Sequence, residues 1–225
     1  MKKNRTPLAA AVLFVVTTST ILSLSCTKNL QKDAVVYENS FDSEKTNGIH
    51  NAVISDFNGS KVLGRYNTGG FDLNVTELPE HDLIEVSFDL YIHDNWRGNA
   101  ASGLKDSSDI WIMNFDGNNE KYTTFSNKMC GTDSCKFQAY PGNFPFPSNP
   151  AGANAAKTDL PGACALAGVL GGTTKYRIKR TTYHKSATFH LGCYAQLFAH
   201  REPDPFCEAS WSIDNLVIKT IKFGE

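Results

Sequence analysis

Aromatic and hydrogen-bonding side chains alternate with apolar ones in residues 86–99, VSFDLYIHDNWRGN. Because the side chains of a strand point alternately to the two faces of a sheet, the apolar residues here share one face and the polar ones the other. A face that combines aromatic rings with polar groups suits a sugar, whose ring carries apolar patches beside its hydroxyls. The residues that could form such an outward-facing site are Asp89, Tyr91, His93, Asn95 and Trp96, together with Trp111 further along the chain.

A later segment, residues 188–198, shows the same division into an apolar row and a polar row. Its polar row contains His190, Tyr194 and Gln196. Two strands therefore offer faces with the composition of a sugar-binding surface. An ordinary solvated outer face has the same composition, so that alternative stays open.

Oxygen donors follow His93 in the same stretch, with Asp94, Asn95 and Asn99 close together and Asp109 beyond them. Hard cations such as calcium bind Asp, Asn and backbone carbonyl oxygens in tight turns. The spacing here is not that of an EF-hand, and neither is that of DGNNE at residues 116–120. Asn-Gly and Asp-Gly pairs also form ordinary turns, which is the alternative interpretation.

The sequence contains no nucleophile elbow, P-loop or zinc-binding helix motif. Glycoside hydrolysis needs two carboxylates roughly 5–9.5 Å apart. Glu85 and Asp89 share one strand face, but four residues along a strand separate their Cα atoms by ~13 Å. The sequence therefore favours binding over catalysis and identifies no catalytic residue, although a triad of distant Ser, His and Asp side chains could still converge.

Strand signals recur along the chain, and after the first 30 residues no long helical periodicity is present. The pattern predicts an all-β fold, a two-sheet antiparallel β-sandwich of the jelly-roll kind, with a long Pro/Gly-rich loop insertion at residues 130–172. A short strand is predicted inside that insertion at residues 137–140. The other predicted strands are residues 35–41, 61–66, 83–93, 109–115, 173–182, 188–198 and 211–223.

The first residues have the layout of an export signal, with a basic MKKNR segment followed by an apolar run that is shorter than a membrane span. The segment LSLSC resembles a bacterial lipobox, which predicts lipidation at Cys26. We therefore expect a lipoprotein signal peptide at residues 1–25, a tether at 26–34 and one domain at 35–223. The expected location is the bacterial cell envelope, lipid-anchored at the outer membrane and facing either the periplasm or the surface.

Cysteine usage and charge restrict the partners. Five cysteines follow Cys26, and in an oxidising envelope most of them should pair. The pair Cys130–Cys135 brackets a short loop and is the simplest bridge, while a second bridge among Cys164, Cys193 and Cys207 leaves one thiol over. The formal net charge is −1 and no basic stripe is present, so nucleic acid is not an expected partner.

Several short motifs occur in an order that resembles a known family. They are FDLYIHDNWRGN, DIW, TTFSN, QAYP, TKYRI and EASWSIDN. Together they resemble a set of secreted bacterial β jelly-roll domains, concanavalin-like or carbohydrate-binding-module-like in shape. Arg97, Ala209 and Ser212 depart from the family pattern. The resemblance implies a fold and no particular activity, because a fold does not determine function.

The resemblance also implies a metal site. In such domains the opening and closing strands are neighbours and commonly hold a structural calcium. Carried onto this chain, the carboxylates are those of Glu38, Asp42 and Asp214, and the alternative is that the closing IDN residues only hydrogen-bond the adjacent strand.

The expected function is therefore that of an envelope-anchored, lectin-like glycan-binding module, attached to the membrane only through its lipid. The alternative is an adhesive or assembly protein that binds a surface protein through residues 130–172. A small glycoside hydrolase is the third possibility.

Overall fold

The computed structural model describes residues 30–99, 108–127, 137–198 and 204–224. Cys26, the predicted signal peptide and the pair Cys130–Cys135 lie outside these ranges. Among the described residues, no helix is long and apolar enough to cross a membrane.

Fourteen strands and one four-residue helix form the described fold. The strands of the first half are β1 (Leu30–Asn39), β2 (Ile49–His50), β3 (Ile54–Phe57), β4 (Ser60–Tyr66), β5 (Gly69–Val75), β6 (Leu83–Asp94) and β7 (Ile110–Phe115). Those of the second half are β8 (Asn118–Thr124), β9 (Phe137–Gln138), β10 (Asn149–Pro150), β11 (Lys157–Pro161), β12 (Leu170–Tyr183), β13 (Phe189–Gln196) and β14 (Ala209–Phe223), with α1 (Pro205–Glu208) before β14.

Two antiparallel sheets enclose the core, which confirms the predicted all-β sandwich. The seven-stranded sheet has the order β11-β12-β6-β14-β4-β3, with β1 beside the second half of β14. The five-stranded sheet has the order β2-β5-β13-β7-β8. The predicted core face of β6 is confirmed, because Val86, Phe88, Leu90 and Ile92 are all buried between the sheets.

The opening and closing strands are neighbours, as the resemblance implied. Glu38 on β1 lies opposite Val217 on β14. β1 begins at Leu30 rather than at residue 35, so the last part of the predicted tether already belongs to the sheet. The IDN residues form a bulge in β14, where Asn215 adopts a φ of 53° and β14 changes its neighbour from β4 to β1.

The insertion at residues 130–172 contains more regular structure than predicted. The short strand predicted at residues 137–140 is confirmed as β9, which pairs with β10, and β11 joins the edge of the seven-stranded sheet. Gln138 anchors the segment from inside, because its Oε1 accepts hydrogen bonds from the amides of Ser126 and Gly152 and from the hydroxyl of Tyr176. Cys164 bonds to Cys207, which leaves Cys193 as a free buried thiol.

The prediction that Tyr91 and His93 point into solvent is wrong. Tyr91 is 9% exposed and His93 is fully buried. β3 lies three positions from β6, about 14 Å in a flat sheet, yet the rings of Phe57 and His93 are 4.5 Å apart. The seven-stranded sheet therefore curls over its own outer face, and Val62 and Leu160 complete a small second core around Tyr91.

The carboxylate of Asp94 holds part of this second layer in place. It accepts hydrogen bonds from the amides of Cys164 at 3.1 Å and Leu166 at 3.0 Å. Arg65 on β4 donates to the carbonyl of Ala163 in the same turn at 2.9 Å. The turn that follows β11 is thereby fixed to the end of β6.

His93 makes stability depend on pH. Burial, with a smaller contribution from the charge of Arg65, lowers its pKa to about 3, and its ring bonds the hydroxyls of Thr173 and Ser212. In the unfolded state His93 binds a proton near pH 6.5, whereas in the folded state it stays neutral at this pH. The free energy of unfolding therefore falls as the pH drops below 6.5, by at most about 1.4 kcal/mol per pH unit.

We predict that His93→Gln removes most of this dependence. Urea denaturation between pH 6.5 and 4.5 should show a steeper loss of stability for the wild type than for the variant, by roughly 1 kcal/mol per pH unit. If the free energy of unfolding falls with pH at the same rate in both proteins, His93 is protonated in the folded state as well, and the prediction is wrong. His50→Gln is the matched control, because His50 is exposed.

Candidate functional site

The residues predicted to form a sugar-binding face do not form one. Besides Tyr91 and His93, Trp96 and Trp111 are fully buried. The indole nitrogen of Trp96 donates to the carbonyl of Ser210 at 2.7 Å. Trp111 packs edge-on against Trp211 in the main core, with ring centroids 6.1 Å apart. The expectation that these aromatic rings are available to a ligand is therefore wrong.

The polar members of that predicted set remain partly accessible but are occupied by the protein itself. Asp89 pairs with the ammonium of Lys175 at 2.7 Å and accepts a hydrogen bond from the Asn215 amide at 3.1 Å. Asn95 is half-buried, and its backbone amide donates to the carbonyl of Glu208. Neither residue projects from an aromatic surface as predicted.

The loop after β6 is an ordered turn held by carboxylates. Asp94 and Gly98 both have positive φ values, 63° and 68°. Asp109 is fully buried and accepts hydrogen bonds from the amides of Arg97 at 2.8 Å and Phe198 at 2.9 Å. Burial raises the pKa of both Asp94 and Asp109, and their amide hydrogen bonds oppose that shift. These carboxylates therefore accept hydrogen bonds from backbone amides, which favours the interpretation of this loop as an ordered turn.

The three predicted calcium ligands are only partly brought together. Ser60 Oγ lies 3.1 Å from a carboxylate oxygen of Asp42 and 3.5 Å from one of Asp214. Burial raises the pKa of Asp214, and the negative charges of Asp42 and Asp89 add to the shift. Glu38 is exposed on β1, and among the described residues its carboxylate does not join the other two within 4.8 Å.

The outer face of the five-stranded sheet, in contrast, is not covered by a second layer of buried apolar side chains among the described residues. β13 buries Phe189, Leu191, Cys193 and Ala195 in the core, so that His190, Tyr194 and Gln196 lie on the other side. Two of these are partly exposed and Gln196 is exposed. The polar row of β13 is thus where the sequence pattern placed it. In the polar row of β6, by contrast, Tyr91 and His93 are buried beneath the second core of the opposite sheet.

Three side chains form a row across the middle of this open face. Tyr194 on β13 lies opposite Ile112 on β7, which lies opposite Tyr122 on β8. Directly opposite residues of neighbouring antiparallel strands share a face, and strands are about 5 Å apart, so the two tyrosines lie about 10 Å from each other. All three side chains are partly exposed. The row is a narrow apolar and aromatic surface with two phenolic hydroxyls.

Polar side chains border the row on both sides. On one side Gln196 is exposed and makes no side-chain hydrogen bond within the described residues. On the other side Asp72 accepts hydrogen bonds from the Tyr194 hydroxyl and, at 2.8 Å, from the imidazole of His190. Burial and this hydrogen bond raise the pKa of Tyr194, which keeps the phenol protonated as a donor. We call the residues Asp72, Ile112, Tyr122, Tyr194 and Gln196 the open-face site.

The Pro-rich insertion forms a wall at one end of the open-face site. The Phe144 amide donates to the Tyr122 carbonyl at 2.8 Å, and the two rings lie 6.3 Å apart. A cavity of about 330 Å³ separates this wall from the end of β13. Its lining residues are Ser108, Ile110, Tyr122, Phe144, Gln196, Leu197 and Phe198.

Sequence reasoning missed three of the five residues of this site. Tyr194 and Gln196 were recognised from the alternation of β13, whereas Asp72, Ile112 and Tyr122 were not. β8 has a mostly polar sequence, NNEKYTT, that carries a weak strand signal. The feature of the sequence that could have indicated β8 is the Asp116-Gly117 pair before it. These two residues, with φ values of 49° and 86°, form the tight hairpin that returns the chain from β7 to β8.

Comparison with known proteins finds similarity to solved structures alone. The chain matches no protein-family model and no curated protein. Among solved structures, it is similar to a family 35 carbohydrate-binding module from Clostridium thermocellum, at 11% identity and a TM-score of 0.36 over 83% of this chain and 97% of that chain.

Two further solved structures are similar to the chain. One is the module CBM6cm-2 of Cellvibrio mixtus lichenase 5A in complex with cellotriose, at 13% identity and a TM-score of 0.31 over 82% of this chain and 97% of that chain. The other is the C-terminal CBM6 of LamC, a marine laminarinase from Zobellia galactanivorans, at 11% identity and a TM-score of 0.33 over 84% of this chain and 99% of that chain. These structural neighbours are carbohydrate-binding modules, but identities and TM-scores this low transfer no ligand and no binding residue to this chain.

Proposed function

We propose that this protein is a glycan-binding module and that the open-face site binds the glycan. The observation that carries the proposal is the row Tyr194–Ile112–Tyr122, which offers two accessible aromatic rings on a flat sheet. Aromatic rings stack on the apolar faces of pyranoses, while the flanking Gln196 amide and Asp72 carboxylate provide hydrogen-bonding groups for hydroxyls. An extended chain lying across the strands would contact both tyrosines.

The binding prediction can be tested by affinity electrophoresis of the folded domain in gels that contain neutral glucans, mannans, xylans or galactans. The wild type should be retarded by at least one of them. Tyr194→Ala and Tyr122→Ala should each weaken that binding by about tenfold, which corresponds to 1.4 kcal/mol. Tyr183→Ala is the matched control, because Tyr183 is 82% exposed and lies on the other sheet. Equal retardation of all four proteins would contradict the proposed site.

The second candidate function is binding of a surface protein through the insertion at residues 130–172. It is favoured by exposed apolar side chains on that segment, where Phe146 is 80% exposed and Leu170 is 75% exposed. The two functions separate in a binding assay on whole bacterial cells. Loss of binding in Phe146→Ser, with full binding in Tyr194→Ala, would favour the protein partner.

We also propose a structural calcium beside Ser60. Asp42 and Asp214 would provide its carboxylate oxygens, since both already contact the same hydroxyl. Burial raises the pKa of Asp214, and the negative charges of Asp42 and Asp89 add to the shift. A cation there would neutralise this repulsion and join the turn after β1 to the bulge of β14. Glu38, Asp42 and Asp214 do not all bring a carboxylate oxygen within 4.8 Å of one another, so the proposed site comprises Asp42 and Asp214 without Glu38.

We predict that calcium raises the thermal midpoint of the domain and that a chelator reverses the rise. At about 100 times the dissociation constant, the added stability is about 2.7 kcal/mol. Asp214→Ala should abolish the response, whereas Asp159→Ala should not, because Asp159 is an exposed residue of β11. A wild type whose midpoint is indifferent to calcium would remove the metal from the proposal.

The same domain is proposed to be tethered to the bacterial cell envelope by a lipid on Cys26. The support is the sequence of the first residues, MKKNRTPLAAAVLFVV followed by LSLSC. Cys26→Ser should move the protein from the membrane fraction to the soluble fraction and prevent incorporation of labelled palmitate. A wild type that incorporates no label, or a Cys26→Ser variant that is labelled as strongly as the wild type, would contradict lipid anchoring at Cys26.

A further inference from the structure

The open face of the five-stranded sheet carries carboxylates that pair with no lysine or arginine of its own strands. These strands contain one lysine, Lys121, and no arginine. Lys121 lies opposite the buried Met113, so its side chain belongs to the inner side of the sheet, and its ammonium donates to the Pro141 carbonyl at 3.0 Å. Among the described residues of this sheet, the titratable groups on the open face are therefore Asp72 and the imidazoles of His50 and His190, while Asp116 binds the His190 amide at the end of the sheet.

Asp72 lies beside the aromatic row and has an accessible charge. One of its oxygens accepts both the Tyr194 hydroxyl and the His190 imidazole. Within the described residues its other oxygen accepts no hydrogen bond, and the side chain is 25% exposed. A ligand stacked on Tyr194 would meet that second oxygen, which can accept a sugar hydroxyl but repels a sugar carboxylate or sulfate.

Gly192 allows Tyr194 to lie flat. A Cβ atom at position 192 would come within 2.6 Å of Cε2 and 2.7 Å of the hydroxyl oxygen of Tyr194. The Tyr194 ring therefore extends back along β13 and covers Gly192, where its hydroxyl reaches Asp72 on the neighbouring strand. Any larger residue at position 192 would lift the ring from the sheet.

We propose that Asp72 determines which glycans the open-face site accepts, because it holds the Tyr194 ring flat against Gly192 and its charge restricts the ligand to uncharged sugars. The inference rests on the proposed glycan-binding function and goes beyond it by naming the class of ligand. Holding the ring and repelling anions are separable properties of one carboxylate, since an amide at the same position keeps the first and loses the second.

The test compares each neutral polysaccharide with its carboxymethylated derivative, using the folded domain in affinity gels at low and high salt. The wild type should bind the neutral form at least about fivefold more tightly at low salt, and added salt should narrow this difference by screening the charges. If Asp72 acted only by holding the Tyr194 ring, the difference in affinity between the neutral and carboxymethylated forms would not change with salt.

Two variants separate the two roles of Asp72. Asp72→Asn should lose most of the discrimination against the carboxymethylated form, so that the ratio of the two affinities falls from about fivefold to near one. Gly192→Ala should weaken binding of the neutral form by about tenfold while it keeps the discrimination. Asp159→Asn is the charge control on the opposite sheet, and thermal midpoints verify that all variants fold.

The possible results distinguish the inference from the function on which it rests. A wild type that binds neutral and carboxymethylated forms equally, or binds the anionic form better, overturns the selectivity and leaves glycan binding in place. A wild type that binds no polysaccharide of either form overturns both. Discrimination that persists in Asp72→Asn assigns the selectivity to another group and overturns the role of Asp72.

Discussion

The buried carboxylate of Asp94 is the constraint on which the asymmetry of this sandwich depends. It ends β6 in a left-handed conformation and binds the amides of the turn that follows β11. That turn also contains Cys164, whose disulfide to Cys207 links it to the segment before β14. These contacts fix the end of β11, the edge strand of the seven-stranded sheet, over β6. One outer face of the sandwich is therefore closed. The other outer face has no second buried apolar layer in the part of the chain that the structure describes.

Closing one face changes what each aromatic residue can do. The rings of Tyr91 and His93 have the composition of a ligand site, yet Phe57, Val62 and Leu160 cover them. On the opposite sheet Tyr194 and Tyr122 occupy equivalent outward positions, and no buried apolar layer from the described segments covers them. The difference between a buried second core and an accessible face therefore lies in the neighbouring segments rather than in the residues themselves.

The sequence was sufficient for the strands whose alternation is strong, and the inward rows of β6 and β13 are as predicted. It was insufficient for the site, because the cover over β6 comes from β3, β4 and β11, which are distant in sequence and short. Alternation along one strand defines two faces but not which of them meets water. Likewise, the free thiol could not be chosen among Cys164, Cys193 and Cys207 until the sheets placed two of them together.

The burial of Cys193 has a consequence for how the chain must acquire its bridge. Cys193 lies between Cys164 and Cys207 in sequence, so in an unfolded chain it is the nearer partner of each, and short loops close at a smaller entropic cost than long ones. In the folded protein Cys193 is inaccessible, and burial raises its thiol pKa well above the usual value, which suppresses the reactive thiolate. Burial of β13 before oxidation therefore favours the Cys164–Cys207 bridge, whereas a bridge formed earlier through Cys193 would have to undergo thiol–disulfide exchange before its strand could enter the core.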